Sequence, residues 1–261
     1  MSSISIMDRD IDIYRMLASG ASTKDYLYNT YRKVVLKIKH NNLAENSDPS
    51  KKAKTGEDAF FRRLWVLKKN GYLDSRRYQI RGNKGHYVLY VLTEISEGIL
   101  CREAGFEQET IRRTLPRVTH VAHDLQVTDV VRAIKREGGG VPYEFMINDE
   151  DWQRKTAQKK KQSFSDLFVT VRLNIGGKEQ SGQFHIEIDN NTIAPLYVKE
   201  KVRKMIHPTF ILCTISKRKD NLRNFFKNAY DEAIDSKIEK HPDKNLKNVY
   251  FALTSDFCAS S

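Results

Sequence analysis

Residues 164–201 read FSDLFVTVRLNIGGKEQSGQFHIEIDNNTIAPLYVKEK, and the rest of the chain makes sense as scaffolding around them. The stretch predicts a strand, a turn at Gly176 and Gly177, a second strand and then a helix. Asp166 opens the first strand. The second alternates apolar Phe184, Ile186 and Ile188 with His185, Glu187 and Asp189, and a period of two places the three polar side chains on one face. Acidic side chains are poor strand formers, so two on one strand require a reason. A hard divalent cation, which takes carboxylate oxygens as ligands, supplies one.

Length and composition bound what such a site can be. A chain of 261 residues is long enough for two modest domains, each with its own core. A hydrophobic content of 39% with 30% charged residues describes a folded, water-soluble protein. No apolar run approaches the length of a membrane helix and the amino terminus has no apolar leader core, so no membrane insertion and a cytoplasmic location are expected. Cys101, Cys213 and Cys258 are too widely spaced to suggest a disulfide framework or a structural zinc.

The formal net charge is +12, which points to a polyanionic partner. The excess is clustered. Between Lys51 and Tyr90 there are eleven Lys or Arg against three acids, and Arg154, Lys155, Lys159, Lys160 and Lys161 form a second group. A charge run by itself is as readily a solvated face, so its placement decides its meaning.

Along the first half, Asp8 to Leu17 has helical spacing, with Asp8 as cap and Gly20 as stop. A longer helix follows from Thr23 to His40. The polar segment from Asn41 to Gly56 predicts a loop. Glu57 to Lys69 returns to helix, with Phe60, Leu64 and Leu67 inward and Arg62, Arg63, Lys68 and Lys69 outward. Two β-rich runs then flank a turn between Gly82 and Gly85. Three helices followed by a basic hairpin is the plan of a winged helix-turn-helix over residues 1–114. In that plan the helix around Arg62 and Arg63 enters the major groove, and Arg76, Arg77, Arg81 and Lys84 of the hairpin meet phosphates. The same fold used for protein contacts is the alternative.

A second domain is expected over residues 115–261. Val118 to Lys135 predicts an amphipathic helix carrying His120, His123 and Asp124, closed by Gly138 to Gly140. Strands are expected at Tyr143 to Ile147 and in the two runs of the opening stretch, followed by the helix through Lys201. A strand from Phe210 to Ser216, a helix from Asp220 to about Lys240 and a strand from Val249 to Thr254 complete an order of α, β, β, β, α, β, α, β.

That order, with the acid of FSD opening the second strand and the Glu of HIEID on the third, resembles the PD-(D/E)XK nuclease superfamily, the restriction-endonuclease fold with a central mixed sheet. The resemblance implies that Asp166 and Glu187 hold Mg²⁺ or Mn²⁺. It departs from the pattern where the motif's Lys should follow Glu187 by two residues, since Asp189 stands there. Over nearly the whole chain the sequence also resembles the replication-relaxation proteins and the MobC class of plasmid relaxases, in its winged-helix plan, its Glu187, Asp189, Asn190, Asn191, Thr192 run, and the helix bearing Lys201. The resemblance implies an α+β or α/β protein that nicks one strand of double-stranded DNA at a transfer origin, with relaxosome accessory proteins or a coupling protein as further partners.

Chemistry assigns the candidate roles. Phosphodiester cleavage needs an activated oxygen nucleophile and neutralised charge on the phosphoryl and leaving oxygens. Asp166 and Glu187 are the candidate metal ligands, and Asp189 a further ligand or an orienter of water. Lys201 or Lys204, on the helix after the acidic strand, could take the place of the missing Lys and meet developing negative charge. His120, His123 and Asp124 are possible accessories, with a packed or hydrogen-bonded structural role as the other reading of the histidines. Without the in-strand Lys, a non-catalytic DNA-binding replication initiator or regulator with a degenerate nuclease fold stands as the alternative function.

Overall fold

The computed structural model describes residues 4–40, 49–79, 86–108, 111–137, 143–149, 153, 164–175, 178–191, 194–205, 207–235 and 249–259. Helices and two separate sheets make it a mixed α+β protein. The chain divides into two compact units, Met1–Val121 and Ala122–Ser261.

In the first unit, helix α1 (Asp8–Leu17), strand β1 (Ser22–Thr23), α2 (Lys24–His40), α3 (Pro49–Lys69), β2 (Leu73–Gln79), β3 (His86–Leu92) and α4 (Glu94–Ala104) follow in order. Strand β3 lies between β1 and β2. Ile13, Tyr14 and Leu17 of α1 meet Phe60, Leu64 and Leu67 of α3, the inward face anticipated from helical spacing, and Leu73, Leu92 and Leu100 complete the core. Registration of the hairpin pairs Tyr78 with Tyr87, whose rings stack at 5.7 Å between centroids.

Two local expectations need correction. Asp8 does not cap α1: Met7 is the capping position, and the Asp10 carboxylate accepts the Met7 N–H at 2.8 Å. Helix α3 starts at Pro49, eight positions before the expected Glu57. Proline suits a first helical position, because its missing N–H would have no partner there in any case. Arg81, Lys84, Gly138 to Gly140, the basic run from Arg154 to Lys161 and the turn at Gly176 and Gly177 lie outside the described residues.

The second unit is a five-stranded sheet in sequence order. Strands β4 (Tyr143–Asp149), β5 (Leu167–Ile175) and β6 (Lys178–Asp189) pair antiparallel, and β6, β7 (Thr209–Cys213) and β8 (Val249–Leu253) pair parallel. Helices α5 (Val121–Glu137), α6 (Pro195–Arg203), α7 (Ser216–Asp235) and α8 (Thr254–Ala259) flank it. Val127, Val130, Val131 and Ile134 of α5 pack against Ile186 and Ile188 of β6. Val198 and Val202 of α6 and Leu222 and Phe226 of α7 pack against Ile211 and Cys213 of β7. Leu212, between those two β7 residues, belongs to the α5 side. Alternation along β7 therefore puts α5 on one face of the sheet and α6 with α7 on the other.

Strand β6 is thus the central strand; its first half is exposed, and His185 to Asp189 are buried on both faces. Its alternation is present, yet the polar side is not a solvent face: His185, Glu187 and Asp189 are all buried beneath α6 and α7. Buried charges require partners.

Candidate active site

Asp166 lies immediately before β5, where the register pairs Leu167 with Ile186, so the first carboxylate is brought beside the second half of β6. The backbone N–H of Ile188 donates to Asp166 Oδ2 at 2.7 Å, which fixes that carboxylate to the strand bearing Glu187. Lys201 of α6 closes the group. Its Nζ is 2.7 Å from Glu187 Oε2 and 4.0 Å from Asp166 Oδ1. Val198 and Val202 seat α6 on the face of the sheet that carries Glu187, and Lys201, about a quarter-turn around the helix from them, reaches that polar face from the flank.

His123, in the first turn of α5, reaches the same carboxylate. Its Nε2 is 3.1 Å from Asp166 Oδ2, and its Nδ1 is 3.4 Å from Asp124 Oδ1. Burial works against the imidazolium, but hydrogen bonds to Asp124 and Asp166 outweigh it and push His123 up to about 10. For Asp166, burial works against the charge, while the His123 hydrogen bond, the Lys201 charge and the Ile188 N–H prevail and hold it below the usual carboxylate range. Of the two histidines singled out in the sequence, His123 joins the site, whereas His120 is exposed in the turn preceding α5.

Asp189 differs from expectation. It lies on the same strand face as Glu187 and lines the same cavity, but both its oxygens are engaged by other groups: Oδ2 accepts Arg218 Nε at 2.6 Å and Oδ1 accepts the Asn191 N–H at 2.9 Å. Asn191 has a φ of 60°, a left-handed conformation that Asn tolerates, and this turn carries the chain from β6 toward α6. Arg218 and Asp189 are both buried, so removing either partner should cost about 3–5 kcal/mol. Arg218 was not legible as part of the site. The only local signal was a basic run at the start of α7, which reads equally well as a solvated helix end.

Two carboxylates and a lysine match the chemistry of a site for Mg²⁺ or Mn²⁺. Magnesium is commonly held by one or two carboxylates, with water and phosphate oxygens completing its shell. Asp166 and Glu187 are the carboxylates that could hold such an ion; among the described residues no group of three or more His, Cys, Asp or Glu is placed to hold a metal. Lys204, the C-cap of α6, lines a cavity of about 320 Å³ together with Glu187, Tyr197 and Lys201.

In the first unit the basic residues separate. Arg62 is exposed on α3, and Arg76 and Arg77 are exposed on β2. Arg63, expected beside them on the DNA-facing side, is turned inward. Its Nε donates to Asp10 Oδ1 at 2.8 Å, its second nitrogen meets Asp10 Oδ2 at 2.5 Å and also the Ser5 carbonyl at 2.8 Å, and Asp10 is fully buried. A buried carboxylate needs a charged partner, and the bidentate fork of Arg supplies it.

The model of the replication-relaxation family matches residues 39–206, more than half of the chain. The chain belongs to the replication-relaxation family. The matched span includes α3, the β2–β3 hairpin, Asp166, Glu187 and Lys201, so this replication-relaxation protein carries its candidate site within the family's own region. No curated protein matches it. Among solved structures, Bacillus subtilis PadR in complex with operator DNA is similar at 13% identity, covering 52% of this chain and 72% of that one. The TM-score is 0.29. Among the described residues no helix is long and apolar enough to cross a membrane.

Proposed function

We propose that the protein is a metal-dependent DNA endonuclease of the relaxase type, which nicks one strand at a plasmid transfer origin. The observation that carries this reading is the placement of Lys201 Nζ against both Glu187 and Asp166, at 2.7 and 4.0 Å, beside the central strand. Carboxylates on adjacent strands, with a helical lysine in the place of the lysine missing at position 189, match the needs of a PD-(D/E)XK centre. The family membership is consistent with work on plasmid DNA.

In this reading residues 1–114 form a winged helix that locates duplex DNA through Arg62, Arg76 and Arg77, with Arg81 and Lys84 as further candidates on the hairpin. Residues 115–261 cut. Asp166 and Glu187 would hold Mg²⁺ or Mn²⁺, which when bound supplies Lewis-acid neutralisation of phosphoryl charge and an activated water. His123 and the Ile188 N–H keep Asp166 ionised and oriented. Lys201 supplies a fixed positive charge for the negative charge that builds on the phosphoryl oxygens. Asp189 and Arg218 position the end of β6 and take no part at the reacting atoms. Accessory proteins at the origin are the expected partners.

A second reading is supported by the pairing of Lys201 with both acids and by the lack of a third ligand among the described residues. It is a DNA-binding initiator or regulator of plasmid replication that cuts nothing. Incubation of supercoiled origin DNA with the full chain in Mg²⁺ or Mn²⁺ separates the two. Conversion to open circles that chelator abolishes is the expected result. Tight binding with no nicking under either metal would leave the regulator.

A further inference from the structure

Helix α6 divides its side chains sharply for so short an element. Val198 and Val202 enter the core, and Lys199 lies over the Phe225 ring at 5.6 Å to the centroid. Tyr197, Lys201 and Lys204, at spacings of four and three, share another face. That face lines the cavity of about 320 Å³ beside Glu187. Tyr197 is 71% exposed, in the first full turn after Pro195, so its ring contributes little to the core and stands at the rim.

We propose that this face of α6 is a subsite for an unpaired nucleotide of single-stranded DNA, whose base stacks on the Tyr197 ring while its phosphate lies toward Lys204. The inference rests on the endonuclease reading for its place beside the scissile phosphate. Three observations converge on a nucleotide. The aromatic face is open, as base stacking requires, and stacking on such a ring tolerates any base. The cavity wall also carries Glu187, Asp189 and Glu200, but Lys201, Arg218 and Arg203 respectively pair with them, so Lys204, seven residues on along the helix face, is the cation placed toward a phosphodiester backbone. The chain as a whole carries a net charge of +12, which favours a polyanion over a neutral or cationic peptide. A base within a duplex has both faces covered by its neighbours, so the platform selects a strand that is already melted or is opened on binding. The cut would then fall where the origin is unpaired.

The test is the affinity of the full chain, in chelator, for a dye-labelled oligo-dT and for a duplex of equal length, read by fluorescence anisotropy. Tyr197→Ala should weaken oligo-dT binding about tenfold, within the range of a lost base–aromatic stack. Tyr197→Phe should stay within about twofold of wild type, and duplex affinity should be unchanged in both. Because Tyr197 is largely exposed, both variants should melt with the wild type. Tyr197→Ala binding oligo-dT as tightly as wild type, or losing affinity equally for duplex, would overturn the subsite. Nicking of supercoiled DNA is scored in parallel. A wild type that binds oligo-dT through Tyr197 yet never nicks supports the subsite and overturns the endonuclease reading, whereas a nicking wild type with a silent Tyr197→Ala overturns the subsite alone.

Discussion

Lys201 Nζ stands 2.7 Å from Glu187 Oε2, joining the helix after the acidic strand to the C-terminal end of that strand across 14 residues. One side chain thereby both neutralises a buried carboxylate and presents a cation at the cavity beside it. The two roles predict different signatures. Lys201→Ala should reduce nicking about 100-fold or more, the scale of losing one preorganised electrostatic contact at a reacting centre. It should also lower stability by about 1–2 kcal/mol, less than for a fully buried pair because Lys201 is partly exposed. Nicking kinetics and urea unfolding of the same preparation measure both. A wild-type nicking rate in Lys201→Ala, with loss in Lys204→Ala, would move the role one turn along α6.

Asp166→Asn and Glu187→Gln should abolish metal-dependent cleavage while leaving duplex affinity in chelator within a few-fold of wild type. The carboxylates belong to the second unit and the cations assigned to the groove belong to the first. Cleavage retained in both variants would remove them from the site.

Arg62 and Arg63 are neighbours in sequence with opposite expected phenotypes. Replacing Arg62, Arg76 and Arg77 together with Gln should flatten the dependence of log affinity on log salt by about 0.9 for each lost phosphate contact, with little change in stability. Arg63→Ala should instead leave Asp10 buried without its bidentate partner and cost about 3 kcal/mol or more of folding stability. Salt titrations of DNA binding and chemical denaturation check the pair. An Arg63→Ala protein as stable as wild type would contradict the structural role.

His185 supplies a pH dependence whose sign is determined. Burial first, then the neighbouring His207 and Lys201 charges, push it down to about 4 from an ordinary value of 6.5, and its Nδ1 is 2.9 Å from the Ser165 hydroxyl. The folded protein keeps it neutral where the unfolded chain takes up a proton. Its contribution is therefore present above pH 6.5 and is lost as pH falls toward 4, amounting to about 3 kcal/mol over that window. Between pH 7 and 4 the wild type should lose more stability than His185→Gln by about this amount. Equal losses in denaturant titrations would exclude it.

Cys213 should be inert in the folded state. Burial, followed by the nearby Asp189 charge, pushes its thiol up to about 11, and its side chain is fully buried in the core between β7 and α7. Alkylation at neutral pH should spare Cys213 until denaturant is added, as peptide mapping would show. Rapid labelling of the native protein at Cys213 would show that this core opens readily.

Much of the second unit was legible in the chain because local periodicity reports which face is apolar. Phe184, Ile186 and Ile188 at period two, and Val121, Leu125, Val130 and Ile134 at helical spacing, select strand and helix before any partner is known, although the packed face of that helix proves to be Val127, Val130, Val131 and Ile134, and the order of elements places the acids on β6 with a helix after them. Gly and Pro signals were weaker guides: Pro49 read as part of a loop and instead opens α3, since proline suits either. What spacing could not disclose was the pairing of charges far apart in sequence. Arg63 and Asp10 lie 53 residues apart, Arg218 and Asp189 lie 29 apart, and His123 reaches Asp166 from another helix. A lone Arg on a helix reads the same whether it meets water, phosphate or a buried carboxylate. Only the packing of the elements decides which, because burial makes an unpartnered carboxylate costly and brings one particular cation within reach. Sequence thus determined the elements and the acids of β6. Tertiary structure decided that Glu187 and Asp166 share Lys201, while Asp189 is held by Arg218.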